Sequence, residues 1–224
     1  MIGHPRVHFR SADSTNLRAR AFAAGGAPHG TLVTAAEQSA GRGRQGRAWA
    51  TPAGSSVLMS LILRGPSRLL SLAAGVAVAE TAVTFGAVNV SIKWPNDVWV
   101  GGAKVAGILV EGRPQEDWAV LGIGLNAQAE SFPPELGARA TSLGIADVES
   151  VLAELLERLA HWTAAPDGAV LDSMRSRDAL LGREIAWSDG AGTATGIDAD
   201  GKLMVATPSG RIALDAGEVH LTVT

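Results

Sequence analysis

A series of strand-length apolar segments, each too short for a helix and each closed by a turn, most limits what this chain can fold into. SVLMSLIL at 56–63 is a continuous apolar run; after an intervening helix come VSIKW, DVWV, KVAGILVEG and DWAVLGIGLN, punctuated by Gly101-Gly102 and a polar turn. Runs and turns of this kind predict a mixed or antiparallel sheet. Helices must cover it. Asp13-Ser14-Thr15 offers an N-cap for a helix over about Asn16 to Ala24, and Pro66-Ser67 opens an Ala-rich amphipathic one from about Leu69 to Phe85. VESVLAELLERLAHW and AVLDSMRSRDALL read as two more helices, TLVTAAEQ as a strand and ESFPPELGARATSL as irregular. The fold class is α+β, a mixed or antiparallel sheet with packed helices.

From Arg183 the texture changes to short alternating runs broken by Asp-Gly at 189 and 200 and Ser-Gly at 209, the punctuation of a small β-barrel. The expected division is a main domain over 1–180 and a small unit over 181–224. About forty residues is small for independent folding, so this unit should lean on the main domain. At 224 residues and 46 % hydrophobic, the chain has room for two units and no more.

A net charge of −3, with both signs spread along the chain, gives no reason to expect nucleic acid as the main ligand. Cysteine is absent, which excludes disulfides, thiolate catalysis and thiolate metal sites and fits a reducing compartment. With neither a leader-like N-terminus nor an 18-residue apolar stretch in the sequence, we expect a soluble, cytoplasmic protein and no membrane partner.

Any anion site must then be local, and two segments offer one. Gly41-Arg42-Gly43-Arg44-Gln45-Gly46-Arg47 sits in a long segment with neither alternation nor helical spacing, read as a loop. Its three guanidinium groups suit a phosphate chain or a carboxylate, and its glycines let backbone N–H groups come close. It is no P-loop, because Arg47 and Ala48 stand where a lysine and a hydroxyl are required. The second segment is Lys93-Trp94-Pro95-Asn96-Asp97, a cation, an amide and a carboxylate around a proline-fixed bend, with Lys104 after the next turn. Of 19 basic residues only Lys93, Lys104 and Lys202 are lysines, so in a chain that otherwise writes Arg a lysine points to a need for a compact ammonium.

Gly122-Ile123-Gly124-Leu125-Asn126 ends a strand and runs into prolines, so it is no dinucleotide fingerprint; its glycines allow close approach, with Asn126 capping the contact. The five histidines are dispersed along the chain and no Gly-x-Ser-x-Gly is present, so a histidine metal site and covalent serine catalysis have no support.

Taken in order, Ser14-Thr15-Asn16, EQSAGRGRQGRAW, KWPND, KVAGILVE and GIGLN resemble the signature of biotin protein ligases, over roughly residues 7–128 by motif. That resemblance implies a class II synthetase-like catalytic domain followed by a small SH3-like β-barrel. It implies an enzyme that uses ATP and magnesium to convert biotin to biotinyl-5'-AMP, then transfers biotin to a lysine of a biotin carboxyl carrier protein. It places Ser14, Thr15, Asn16, Gln38, Gly41, Arg42, Gly43, Arg44, Lys104 and Gly107 at biotin. Arg42, Arg44, Arg47, Trp49, Lys93, Asn96 and Asn126 fall at the nucleotide, and Lys104, Arg42 and Asp97 are implied as catalytic, with the metal ligands unassigned. Thirteen residues before Ser14 leave no room for the winged helix-turn-helix that some members carry, so a ligase without a regulatory arm is expected. The alternatives are a lipoate or octanoate ligase or transferase of the same fold and a catalytically silent binding module.

Overall fold

The computed structural model describes residues 1–112, 117–128, 132, 137–215, 217 and 219–222. Part of ESFPPELGARATSL, including both prolines, lies outside them. Among the described residues, no helix is long and apolar enough to cross a membrane.

A seven-stranded sheet forms the centre, in the order β1-β2-β3-β7-β6-β5-β4. Its strands are β1 (Arg6–Phe9), β2 (Leu32–Ala35), β3 (Ser56–Arg64), β4 (Val90–Lys93), β5 (Asp97–Val100), β6 (Ala103–Gly112) and β7 (Trp118–Asn126). β1 and β2 are parallel, joined through helix α1 (Thr15–Ala24), because a parallel pair needs a long crossover; the other pairings are antiparallel. β1 was not read from the sequence: four residues, RVHF, are too few to separate from background alternation.

β3 and β7 pair along their whole length, from Ser56 opposite Asn126 to Arg64 opposite Trp118. On one face Val57, Leu61, Leu121, Ile123 and Leu125 belong to the main core, which also takes in helix α2 (Leu70–Thr84). On the other, Ile62 and Val120 pack against Ala19 and Ala23 of α1. α2 is not the amphipathic helix expected. Eleven of its fifteen residues are buried, since helices α3 (Val148–Trp162) and α4 (Asp167–Arg175) cover the side turned from the sheet. α4 also ends earlier than expected: Arg177 and Ala179 leave it to bond Ile92, at 2.7 and 3.0 Å, and so extend the edge at β4.

The C-terminal strands are β8 (Glu184–Trp187), β9 (Gly190–Ile197), β10 (Leu203–Thr207), β11 (Gly210–Leu214) and β12 (His220–Leu221). They form an antiparallel sheet in the order β11-β10-β9-β8-β12. Its outer strands do not pair among the described residues, so the ring of the expected barrel is not closed; β12, only two residues long, offers little edge to close it.

This unit does lean on the main domain. Ile197, Leu203 and Val205 belong to the same core as α2, and the buried Trp94 indole donates to Gly201 O at 2.9 Å. Arg68 pairs with Asp167 on one side and Asp200 on the other. Trp94→Phe keeps the ring but leaves the Gly201 carbonyl without its donor, which costs about 1–3 kcal/mol. A fall of several degrees in Tm, with unchanged far-UV circular dichroism, is the expected result.

Candidate active site

The cleft lies on the α1 face of the sheet, and its floor is bare backbone. Gly107 on β6 stands opposite Gly124 on β7, and Leu109 opposite Gly122. A Cβ at Gly124 would come within 2.6 Å of Trp49 Nε1, one at Gly107 within 2.9 Å of Trp49 Cζ3, and one at Gly122 within 2.8 Å of Asn16 Cγ. All three distances are far inside van der Waals contact. Two glycines thus seat the Trp49 ring and a third seats the Asn16 amide.

At one end of the cleft the start of α1 supplies a hydrogen-bonding corner. Thr15 N and Oγ1 both donate to Gln38 Oε1, at 2.8 and 3.1 Å. Ser60 Oγ lies 2.6 Å from Asn16 Oδ1 and 2.8 Å from Thr15 Oγ1, while Asn16 Nδ2 donates to Glu111 Oε2 at 2.9 Å. The orientation of each amide is therefore set by its partners. Ser14 occupies the N-cap position, yet its hydroxyl makes no capping bond; it is buried and lines the cleft.

The Gly/Arg loop is more ordered than its composition suggests. Trp49 N donates to Gly41 O at 2.9 Å and Gly43 N to Arg47 O at 2.7 Å, a two-rung flap closed by a turn over 44–47. Gln45 at φ 55 and Gly46 at φ 76 take the left-handed conformations that such a turn requires. Sequence periodicity cannot show this, because the rungs use backbone and the glycines only permit them. The flap sorts its arginines: Arg42 Nη1 faces Glu111 Oε1 at 3.3 Å, whereas Arg44 Nη1 donates to Asn96 Oδ1 at 3.2 Å.

At the far end the β4–β5 hairpin sets Lys93 opposite Asp97, and Asp97 opposite Gly107. Asn96 is locked to β6 by Nδ2 donating to Ile108 O at 2.9 Å. Lys104 reaches this row because β6 bulges: Trp99 pairs with Lys104 but Val98 with Ala106, leaving Val105 as the extra residue. The bulge turns Lys104 onto the Gly107 face, where Nζ lies 2.6 Å from Asp97 Oδ1 and 5.5 Å from the centre of the Trp49 ring. Burial lowers the Lys93 ammonium pKa, partly offset by Asp97, with Lys104 and Arg47 lowering it further. Arg44 is likewise lowered by burial, against the pull of Asp97.

One cleft is lined by Ser14, Thr15, Asn16, Gln38, Arg42, Gly43, Arg44, Arg47, Trp49, Lys93, Asn96, Asp97, Lys104 and Gly107. Gly217 and Val219 from the C-terminal unit also line it. Two residues expected at ligands stand elsewhere. Gly41 is at the base of the flap and does not line the cleft, with no room for a Cβ beside Trp49 and Gln38, and the Asn126 amide is taken up by Ser56 at 3.5 Å and Thr141 O at 2.9 Å. Gly122 and Gly124, expected to allow a close approach, receive Asn16 and Trp49, whereas Ser60 and Glu111, which hold Asn16, were not singled out. The signals were a polar residue inside an apolar strand and glycines at i and i+2, which fall on one face.

Five cationic side chains and one carboxylate line this cleft, with amides and hydroxyls at one end. Such a site, cationic at one end and rich in hydrogen-bonding groups at the other, has the charge to receive a ligand with anionic groups. The chain belongs to the biotin/lipoate A/B protein ligase family, whose model matches residues 9–127; a biotin protein ligase C terminal domain matches 181–221. The biotin--[acetyl-CoA-carboxylase] ligase of Mycobacterium tuberculosis is 36 % identical over 233 residues, covering 93 % of this chain and 86 % of that one. The bifunctional ligase/repressor BirA of Bacillus spizizenii is 39 % identical over 161 residues, covering 67 % of this chain and 50 % of that one. The chain thus spans about half the length of the Bacillus relatives it matches. Among solved structures, the biotin protein ligase from Aquifex aeolicus in complex with biotin and ATP has a TM-score of 0.86 at 26 % identity, over 99 % of this chain and 100 % of that one.

Proposed function

We propose that this protein is a biotin protein ligase: it forms biotinyl-5'-AMP from biotin and ATP, then acylates a lysine of a biotin carboxyl carrier protein domain. The observation that carries this reading is the sorting of cations along one cleft, with Arg42 beside the amide corner and Arg44, Lys93 and Lys104 at the opposite end. A ureido ring needs fixed donors and acceptors, which Ser14, Thr15, Asn16 and Gln38 supply. Its carboxylate then lies between Arg42 and Lys104, and the triphosphate toward Arg44, Lys93 and Asn96. Trp49 and Arg47, on the flap, belong to the nucleotide side.

Carboxylate and triphosphate repel each other, so charge must be neutralised before an oxygen can attack the α-phosphorus in line. That attack forms the acyl–phosphate bond and breaks the bond to pyrophosphate, which leaves with the electron pair. In the second step the acceptor amine attacks the acyl carbonyl, an amide forms and AMP departs. Asp97 holds the Lys104 ammonium at 2.6 Å, and this positioning is its main task; accepting the amine's proton is the further role we assign it.

Among the described residues no three His, Cys, Asp or Glu side chains cluster as a metal site. Magnesium draws most of its ligands from phosphates and water, so a single carboxylate, Asp97, beside the Asn96 amide fits an ion that arrives with the nucleotide. When bound it would shield the triphosphate. We place the boundary between the two units at 180 and 181, a reading supported by a C-terminal family match over 181–221. A chain without cysteine suits the cytoplasm.

The test is pyrophosphate exchange into ATP with biotin, lipoate, octanoate or no acid. Exchange with biotin alone is expected; exchange with lipoate or octanoate in its place would overturn the reading. The flap should also protect the adenylate from water. Hydrogen exchange at the Gly43 and Trp49 amides, the flap's rungs, should slow when biotin and ATP are both added, and equal rates would count against a closing flap.

A further inference from the structure

We infer that Glu111 is a positioning residue for the biotin end of the cleft, one carboxylate that both orients Asn16 and aims Arg42. This rests on the proposed reading of the cleft. Glu111 lies two residues beyond Leu109 and four beyond Gly107 on β6, so it projects from the same sheet face as the floor. Its side chain is 18 % exposed, and its two oxygens serve different partners. Oε2 accepts from Asn16 Nδ2 at 2.9 Å; Oε1 lies 3.3 Å from Arg42 Nη1 and 3.5 Å from Arg20 Nη1.

The first contact decides which way the Asn16 amide faces. With Nδ2 held by Glu111 and Leu109 O, Oδ1 turns to Ser60, and the amide lies close against Gly122. Without the carboxylate the amide could rotate, exchanging the donor and acceptor presented to a bound ring. The second contact decides where the Arg42 guanidinium waits. It is 41 % exposed and meets Glu111 through one nitrogen, so the tether aims the group without enclosing it. An arriving carboxylate finds the cation already on its side of the cleft, while Asn96 keeps Arg44 on the other. A residue that only braced α1 would pair with Arg20 and Asn16, both on that helix, and leave the Arg42 contact unexplained.

The test uses steady-state pyrophosphate exchange by the full chain and its Glu111 variants. Glu111→Gln keeps an acceptor for Asn16 but removes the charge facing Arg42, and should raise the biotin KM about tenfold. Glu111→Ala frees both partners and should raise it about a hundredfold, with the ATP KM changing less than about twofold in each variant. In an Arg42→Ala background, Glu111→Gln should add no further loss, because the group it aims is gone. Equal changes in both KM values would overturn the inference, as would an unchanged biotin KM accompanied only by a lower Tm. Absence of biotin-dependent exchange in the unsubstituted protein would overturn the ligase reading and this inference with it.

Discussion

Lys104→Ala should lower biotin-dependent pyrophosphate exchange by about a hundredfold to a thousandfold, the loss expected when one preorganised donor is removed from developing charge. The fold explains why nothing nearby replaces it. The bulge at Val105 brings a single ammonium onto the glycine floor, and Asp97 fixes it at 2.6 Å. Lys104→Arg should restore little. Nζ stands 3.1 Å from where a Gly107 Cβ would be, and a planar guanidinium needs more width than the space between that backbone and Trp49 provides. Binding of biotin alone, measured by calorimetry, should fall far less than exchange if, as proposed, the lysine acts where the two anions meet. Undiminished exchange in the alanine variant would remove Lys104 from the reaction.

Gly122→Ala should weaken biotin binding at least about tenfold through the loss of one buried, oriented amide. The added methyl would overlap the Asn16 carboxamide, which is itself held by Ser60, Glu111 and Leu109. Either Asn16 moves or the strand does, and overpacking of a close-packed site costs about 1–3 kcal/mol in addition. Gly168→Ala in α4 is the control: no atom lies within 4 Å of its Cβ position, and the helix favours alanine. It should bind biotin normally with unchanged or higher Tm. Normal biotin affinity in Gly122→Ala would show that Asn16 does not contact the ring.

The strands from 56 to 126 and the helices were legible because burial dictates period and length, and these survive in the letters. The cationic residues were legible through scarcity: Lys93 and Lys104 stood out in a chain that otherwise writes Arg. What stayed hidden depends on pairing. The bulge that re-aims Lys104 is a register shift, visible only once β5 lies beside β6. The flap is a backbone ladder, and the amphipathic reading of α2 failed because alanine and valine on its outer side face α3 and α4 rather than water. The nucleotide role that the resemblance implies for Asn126 is not visible in its surroundings, where its amide closes the end of β7 onto Thr141.

Gly217 and Val219 reach the same hollow as Arg44 and Lys93, although they come from the other end of the chain. The smaller module thus supplies part of the lining of this cleft, and it is tied to the larger one through Trp94. Grafting a foreign tail onto the first 180 residues should therefore alter turnover even when the graft folds well, and drift in either module must be matched by the other along that seam.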